Sequence, residues 1–402
     1  MLERLEEMDW GALDDAYGPA VKAPARIRAL ASSDKTKRDK ALDELSYTIY
    51  HQGTIYAASV EAVPFLLEIV ASSDVSDRTP TLQLLQLIST GTSYHEVHSS
   101  LFLNREQSKT AEWQERVREE KTWVARIHET LNAAVPVVAV VLQGGSVEER
   151  LAAVSLLATL QDNPAVIDAL RATALDPNAN LGAAAISALG GRDDAPIQLI
   201  EECFERSTNE LVRTVAAMNV LYHRSQDAPA TAVECLLNHL RTPQVEVRRA
   251  YEALPDAGLF LGDLGKALAC APRPAAESAF PLLYEEVKRS PYPLNDSETF
   301  GVLMLAVMLN PPVDRAWSKV TLTKEQRLAI RLVADRVWRI ERGRTTTYVN
   351  LVHLLESVGL PGKREEIFAL LAGTPEGVQT AKEEARWAPR PKRRPWWKFF
   401  QI

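Results

Sequence analysis

Cysteine is scarce in this chain, long apolar runs are missing, and positive charge is outnumbered. Three cysteines in 402 residues exclude a disulfide-stapled fold. Together with the lack of a charged-then-apolar leader, they lead us to expect a protein kept in a reducing, cytoplasmic compartment. No run approaches the roughly 20 apolar residues that a membrane-crossing helix needs. Lys and Arg number 46 against 53 Asp and Glu, a formal net charge of -7, so no extended phosphate-binding footprint is expected and nucleic acid is not the expected partner. Signatures of cofactor binding and catalysis are lacking too. Gly144-Gly145-Ser146 and Gly190-Gly191 have neither the lysine nor the strand of a phosphate loop and read as turns. What the chain does have is 46% hydrophobic residues, enough for a large buried core.

That apolar content is periodic. A short pattern, small-apolar-x-apolar-Leu, begins at Ala41, Thr81, Ala153, Ala185, Ala217 and Ala250, and from Ala153 onward its steps are 32, 32 and 33 residues. Ala62-Val63-Pro64 and Ala134-Val135-Pro136 are 72 residues apart, as are Thr81 and Ala153, so both halves of the unit repeat together. Around Ser207-Thr208-Asn209, the apolar positions Ile197, Ile200, Phe204 and then Leu211, Val215, Met218 have the three-and-four spacing of amphipathic helices. A constant step of this size, with a helix on either side of a turn, predicts an all-α solenoid of stacked helix pairs. Cys203 and Cys235 are one step apart and are expected to be buried thiols in equivalent core slots.

The pattern divides the chain. Residues 1–40 read as acidic N-terminal capping helices, the first from Leu2 to Asp15, which includes the pair Asp14-Asp15. Residues 41–255 hold the regular repeats, and the joint from Ser46 to Val70 is the one the others vary. In it Gly53 supplies a tight connection, and Pro64 is expected to open the next helix. The doubled step leaves an insertion at about 89–133, a loop followed by a long charged helix with Trp113, Val117, Val124, Ile127 and Leu131 on one face. Residues 256–385 read as degenerate helical repeats chopped by prolines, among them Pro272, Pro274 and Pro281. Residues 386–402 form a basic, aromatic tail with no acidic residue.

Asp9-Trp10, Ala16-Tyr17-Gly18-Pro19-Ala20, His51-Gln52-Gly53-Thr54-Ile55-Tyr56 and Ala62-Val63-Pro64-Phe65-Leu66 resemble a group of bacterial HEAT-repeat proteins of uncharacterised function. The likeness is specific over roughly the first 70 residues and generic beyond. It implies an α-α superhelix of the HEAT/armadillo-like kind used for binding, and it brings no catalytic residues. Members of the group are sometimes associated with toxin and immunity loci.

The candidate site residues are therefore partner-binding ones, with no catalytic, cofactor or metal set among them. His51, Gln52 and Tyr56 flank the Gly53 turn, where the bland reading is that His51 and Gln52 bond carbonyls at the end of the preceding helix. His95, His98 and Trp113 lie in the insertion. His95-Glu96-Val97-His98 has one residue too few between its histidines for the zinc-protease signature, so polarity of a loop is the better account. In the tail, Arg393, Arg394, Trp396 and Trp397 suit an anionic membrane, nucleic acid or an acidic protein groove, with docking on the chain's own surface as the favoured reading. The expected function is a non-enzymatic scaffold binding a protein. The alternatives are an immunity or regulatory protein that blocks one toxin or enzyme, and a helical-repeat DNA-binding or base-excision enzyme.

Overall fold

The computed structural model describes residues 2–99, 106–160, 163–289, 296–309, 317, 322–341, 344–347 and 349–372. It divides into two compact units, Met1–Asn219 with Ala253–Asp256, and Val220–Glu252 with Ala257–Ile402. Both are built of packed helices, the all-α solenoid that the repeat predicts.

In the first unit a small antiparallel ladder, β1 (Asp14–Asp15) and β2 (Gly18–Pro19), precedes α1 (Ala23–Leu30) and α2 (Lys35–Thr48). The strands β3 (Tyr50–His51) and β4 (Thr54–Ile55) lead into α3 (Ala57–Ala71) and α4 (Thr79–Ser89). Then come β5 (Thr92–Ser93), α5 (Tyr94–His98), α6 (Ala111–Ala133), α7 (Val135–Gly144), α8 (Val147–Ala158), α9 (Pro164–Ala174), α10 (Ala179–Gly190), α11 (Ile197–Arg206) and α12 (Glu210–Arg224), the last shared between the units. The helices pack as hairpins: α1 on α2, α3 on α4, α7 on α8 and α9 on α10. The second helices α2, α4, α8 and α10 stack in that order as one layer, and α1, α3, α7 and α9 as the other. Helix α4 meets α8 directly, and α6 lies beside the array against α3.

Local chemistry explains where the second helices begin. Asp34 caps α2 by accepting from the Thr36 amide at 2.9 Å, and Asn178 caps α10 by accepting from Asn180 at 3.0 Å and Leu181 at 3.3 Å. Ser146 and Glu149 form a reciprocal capping box at α8. Arginines then tie the start of one second helix to the start of the next: Arg38 to Asp77 at 2.9 Å, Arg78 to Glu149 at 2.8 Å, and Arg150 to Asp176. Asp77 and Asp176 are both held below the usual carboxylate range. Burial pushes each upward, but hydrogen bonds from Thr79 and Arg38 in the first case, and from Asn178 and Arg150 in the second, outweigh it.

Several expectations need correction. Leu2–Asp15 is not a helix: only Glu3–Glu6 forms a single 3-10 turn, and Asp14-Asp15 sits in β1. Pro64 does not open α3 but lies inside it. The helix begins seven residues earlier because the Tyr56 amide donates to Ser59 Oγ at 2.7 Å and the Ser59 amide to the Tyr56 carbonyl at 2.9 Å. Phe65 nevertheless points inward, 7% exposed, with its ring 6.2 Å from that of Trp10.

The second unit holds α13 (Ala230–Arg241), α14 (Val245–Glu252), α15 (Phe260–Cys270), α16 (Arg273–Arg289), α17 (Asp296–Leu309), α18 (Lys324–Val337), β6 (Trp338–Glu341), β7 (Arg344–Thr347), α19 (Val349–Ser357) and α20 (Arg364–Ala372). Here too the reading needs amendment. Pro281 lies inside α16 rather than ending a helix, and the antiparallel β6–β7 pair interrupts a region expected to be wholly helical. Helices α15 and α17 approach backbone to backbone, and a Cβ added at Gly265 would come within 2.9 Å of Gly301 Cα. Glu298 is wholly buried and accepts from Arg248 Nη2 at 2.8 Å; Arg336 donates to the Val287 carbonyl at 2.7 Å. Cys203 in the first unit and Cys235 in the second are buried and form no disulfide.

Candidate binding surface

The Gly53 joint is a β-hairpin. Tyr50 pairs with Ile55 and His51 with Thr54, joined by the two-residue loop Gln52-Gly53. Both loop residues have positive φ, 49° and 87°, the conformation that a tight hairpin turn requires and that glycine supplies without strain. A third strand comes from the insertion: β5 runs parallel to β4, with the Thr92 amide donating to the Gly53 carbonyl at 2.9 Å. Gly91 lets the chain come that close, since a Cβ there would fall 2.3 Å from Ile55 Cγ2.

Beyond β5, a buried carboxylate of α6 gathers the start of α5, beside an ion pair from Lys121 to Glu96 at 2.7 Å. Glu120, 5% exposed, accepts from Ser93 Oγ at 2.6 Å and from the His95 amide at 2.9 Å, and one of its oxygens lies 2.6 Å from His95 Nδ1. Trp113 Nε1 donates to the His95 carbonyl at 3.0 Å, and its ring meets the imidazole edge-on at 4.6 Å. The His98 ring stacks on Tyr94 at 4.1 Å, with Nδ1 2.8 Å from the Tyr94 carbonyl. The Nδ1 atoms of both histidines are therefore committed to neighbours within the cluster.

His51 sits between two exposed rings, with Tyr17 at 5.5 Å and Tyr47 at 6.5 Å, and among the described residues its buried Nδ1 has no hydrogen-bond partner. The expected capping bond to the preceding helix is replaced by a different one, in which Thr54 Oγ1 donates to the His51 carbonyl at 2.7 Å, because the chain has already turned into the hairpin. Tyr56 Oη lies 2.9 Å from the same Thr54 hydroxyl, and burial pushes its phenol above the ordinary value, so it stays protonated.

Six of the candidate residues, His51, Gln52, Tyr56, His95, His98 and Trp113, thus belong to one three-stranded patch and its flanking helices. Arg393, Arg394, Trp396 and Trp397 lie outside the described residues. Sequence reasoning missed Glu120 and the exposed Tyr17, Tyr47 and Tyr94. Glu120 could have been found, since it is a carboxylate in the apolar stripe that runs from Trp113 through Val117 to Val124. The tyrosines carry no such signal, because only the fold brings their segments together. Chemically the patch offers flat rings, imidazoles and hydroxyls on a hydrogen-bonded base, an arrangement suited to recognition.

Residues 135–220 match the family model for HEAT repeats, a stretch that takes in α7 to α11 and most of α12. The match marks this stretch as similar to HEAT repeats. No curated protein matches the chain.

Proposed function

We propose that the chain is a non-catalytic cytoplasmic scaffold that holds a protein partner against the aromatic and histidine patch of its first unit. Proteins made of HEAT repeats commonly serve as protein-interaction scaffolds, because stacked helix pairs offer long surfaces. The observation that carries the proposal is the exposure of Tyr17 at 71%, Tyr47 at 64% and Tyr94 at 37%, on a patch whose backbone is cross-braced by β3, β4 and β5. Tyrosine rings are large and rigid, and they lose little conformational entropy on binding, which makes them favoured contacts at protein interfaces.

The test is a photoreactive benzoylphenylalanine placed at Tyr47 in the full chain, expressed in its source cells. Leu175, 64% exposed just after α9, serves as the control. A discrete light-dependent adduct from position 47 and none from position 175 is expected. No adduct at position 47, or the same adducts from both, would refute the proposal.

A further inference from the structure

On the second-helix layer of the first unit, α8, α10 and the segment Pro255-Asp256 enclose a groove of about 150 Å3. Its floor is apolar and small: Ala158 from α8, and Ala184 and Ala188 from α10. Polar groups are few and specifically placed. Asp256 stands exposed on the rim, in a left-handed backbone conformation with φ of 59°. Its Oδ1 accepts from the neutral amide of Gln86 at 3.4 Å, and among the described residues no cation pairs with it. Ser187 is exposed beside it. Ser155 is only 8% exposed, and among the described residues its hydroxyl has no hydrogen-bond partner. A buried hydroxyl left unmatched is unfavourable, so a group that satisfies it when it enters the groove gains more than surface contact alone would give.

We propose that this groove seats a lysine side chain of the protein partner. The aliphatic stem lies over Ala158, Ala184 and Ala188, while the ammonium meets the Asp256 carboxylate and the hydroxyls of Ser155, after rotation about its Cα–Cβ bond, and Ser187. Lysine suits the site better than arginine for two reasons. Its head is a compact point charge with three rotatable donors, which matches one carboxylate and two hydroxyls spread around a small space. A guanidinium fork would need both Asp256 oxygens in one plane, and one of them already faces Gln86.

The inference rests on the protein-binding reading, and its test is independent of any partner. The floor residues themselves are the reporters: the full chain is labelled with 13C at its alanine methyls, and acetyl-Ala-Lys-Ala-amide is titrated against acetyl-Ala-Glu-Ala-amide and the norleucine analogue. We expect saturable shifts at Ala158, Ala184 and Ala188 with the lysine peptide alone, weakened by added salt. Asp256→Asn should reduce the affinity by about tenfold with an unchanged circular dichroism spectrum. Equal shifts from the three peptides, none from the lysine peptide, or full affinity in Asp256→Asn would overturn the proposal. The comparison among peptides needs no variant, so it stands even if Asp256→Asn folds poorly. Failure here together with a position-47 adduct removes the lysine seat alone; lysine-specific shifts without that adduct remove the aromatic patch as the partner's site.

Discussion

Glu149 offers the sharpest test of how the first unit is held together. Burial would raise its carboxyl, but Arg78 overrides this: the Arg78 amide donates at 2.9 Å, Nε at 2.8 Å and Nη2 at 3.2 Å, and the Ser146 amide adds a fourth bond at 2.9 Å. These bonds and the guanidinium charge hold the group at about 2, against an ordinary 4.5. At about 1.4 kcal/mol for each tenfold change in proton affinity, this linkage contributes about 3 kcal/mol to stability. Because the folded value is depressed, the contribution is fully present above the unfolded value of 4.5 and is lost as pH falls towards about 2.

Glu149→Gln removes the charge while keeping the shape, and should cost about 3 kcal/mol at neutral pH, near the lower end for breaking one side of a buried pair. The pH dependence identifies the cause. Protonating Glu149 in the wild type makes it resemble the amide, so the gap between the two proteins should narrow by about 1.4 kcal/mol between pH 7 and about pH 3.5. Reversible urea unfolding at several pH values in that interval, followed by circular dichroism, would measure it. Two parallel curves would show that Glu149 does not titrate with a depressed affinity. A loss below about 1 kcal/mol at neutral pH would place the pair with ordinary surface ion pairs.

Phe65→Ala should lower stability by about 3–5 kcal/mol in the same urea assay, because the ring is nearly enclosed and packs beside Trp10. Gly265→Ala should cost about 1–3 kcal/mol or more by forcing α15 from α17, read as a lower unfolding midpoint with an unchanged helical spectrum. Glu120→Gln should loosen α5 on α6 without unfolding the array, so faster amide hydrogen exchange is expected at residues 94–98 and unchanged exchange in α8 and α10.

The solenoid was legible in the sequence because its cause is periodic. A helix pair that buries one face must place Leu157, Leu189 and Leu221 at equal steps, and all three are wholly buried. The turn expected at Ser207-Thr208-Asn209 is found, and there Asn209 caps the next helix by accepting from the Leu211 and Val212 amides. The start of α3 was misplaced because a proline near an apolar run looks like a helix opening. What decides the boundary is Ser59, whose hydroxyl both accepts from the Tyr56 amide and donates to the Ile49 carbonyl. No local rule points to a serine whose hydroxyl serves two backbone groups, one of them ten residues away.

The candidate surface escaped the sequence for a deeper reason. Its base is a parallel pairing between β4 and β5, elements separated by a complete helix hairpin, and a two-residue strand leaves no alternating pattern to read. Within the patch, a carboxylate that would be costly in an apolar helix stripe becomes favourable because three polar groups converge on it from α5 and the residue before it. The repeat therefore specifies the scaffold, whereas the insertion at the third-strand position specifies what that scaffold displays. A chain that kept every repeat leucine but lost Glu120 and Ser93 should still form the solenoid while displaying a different, looser surface at the third-strand position.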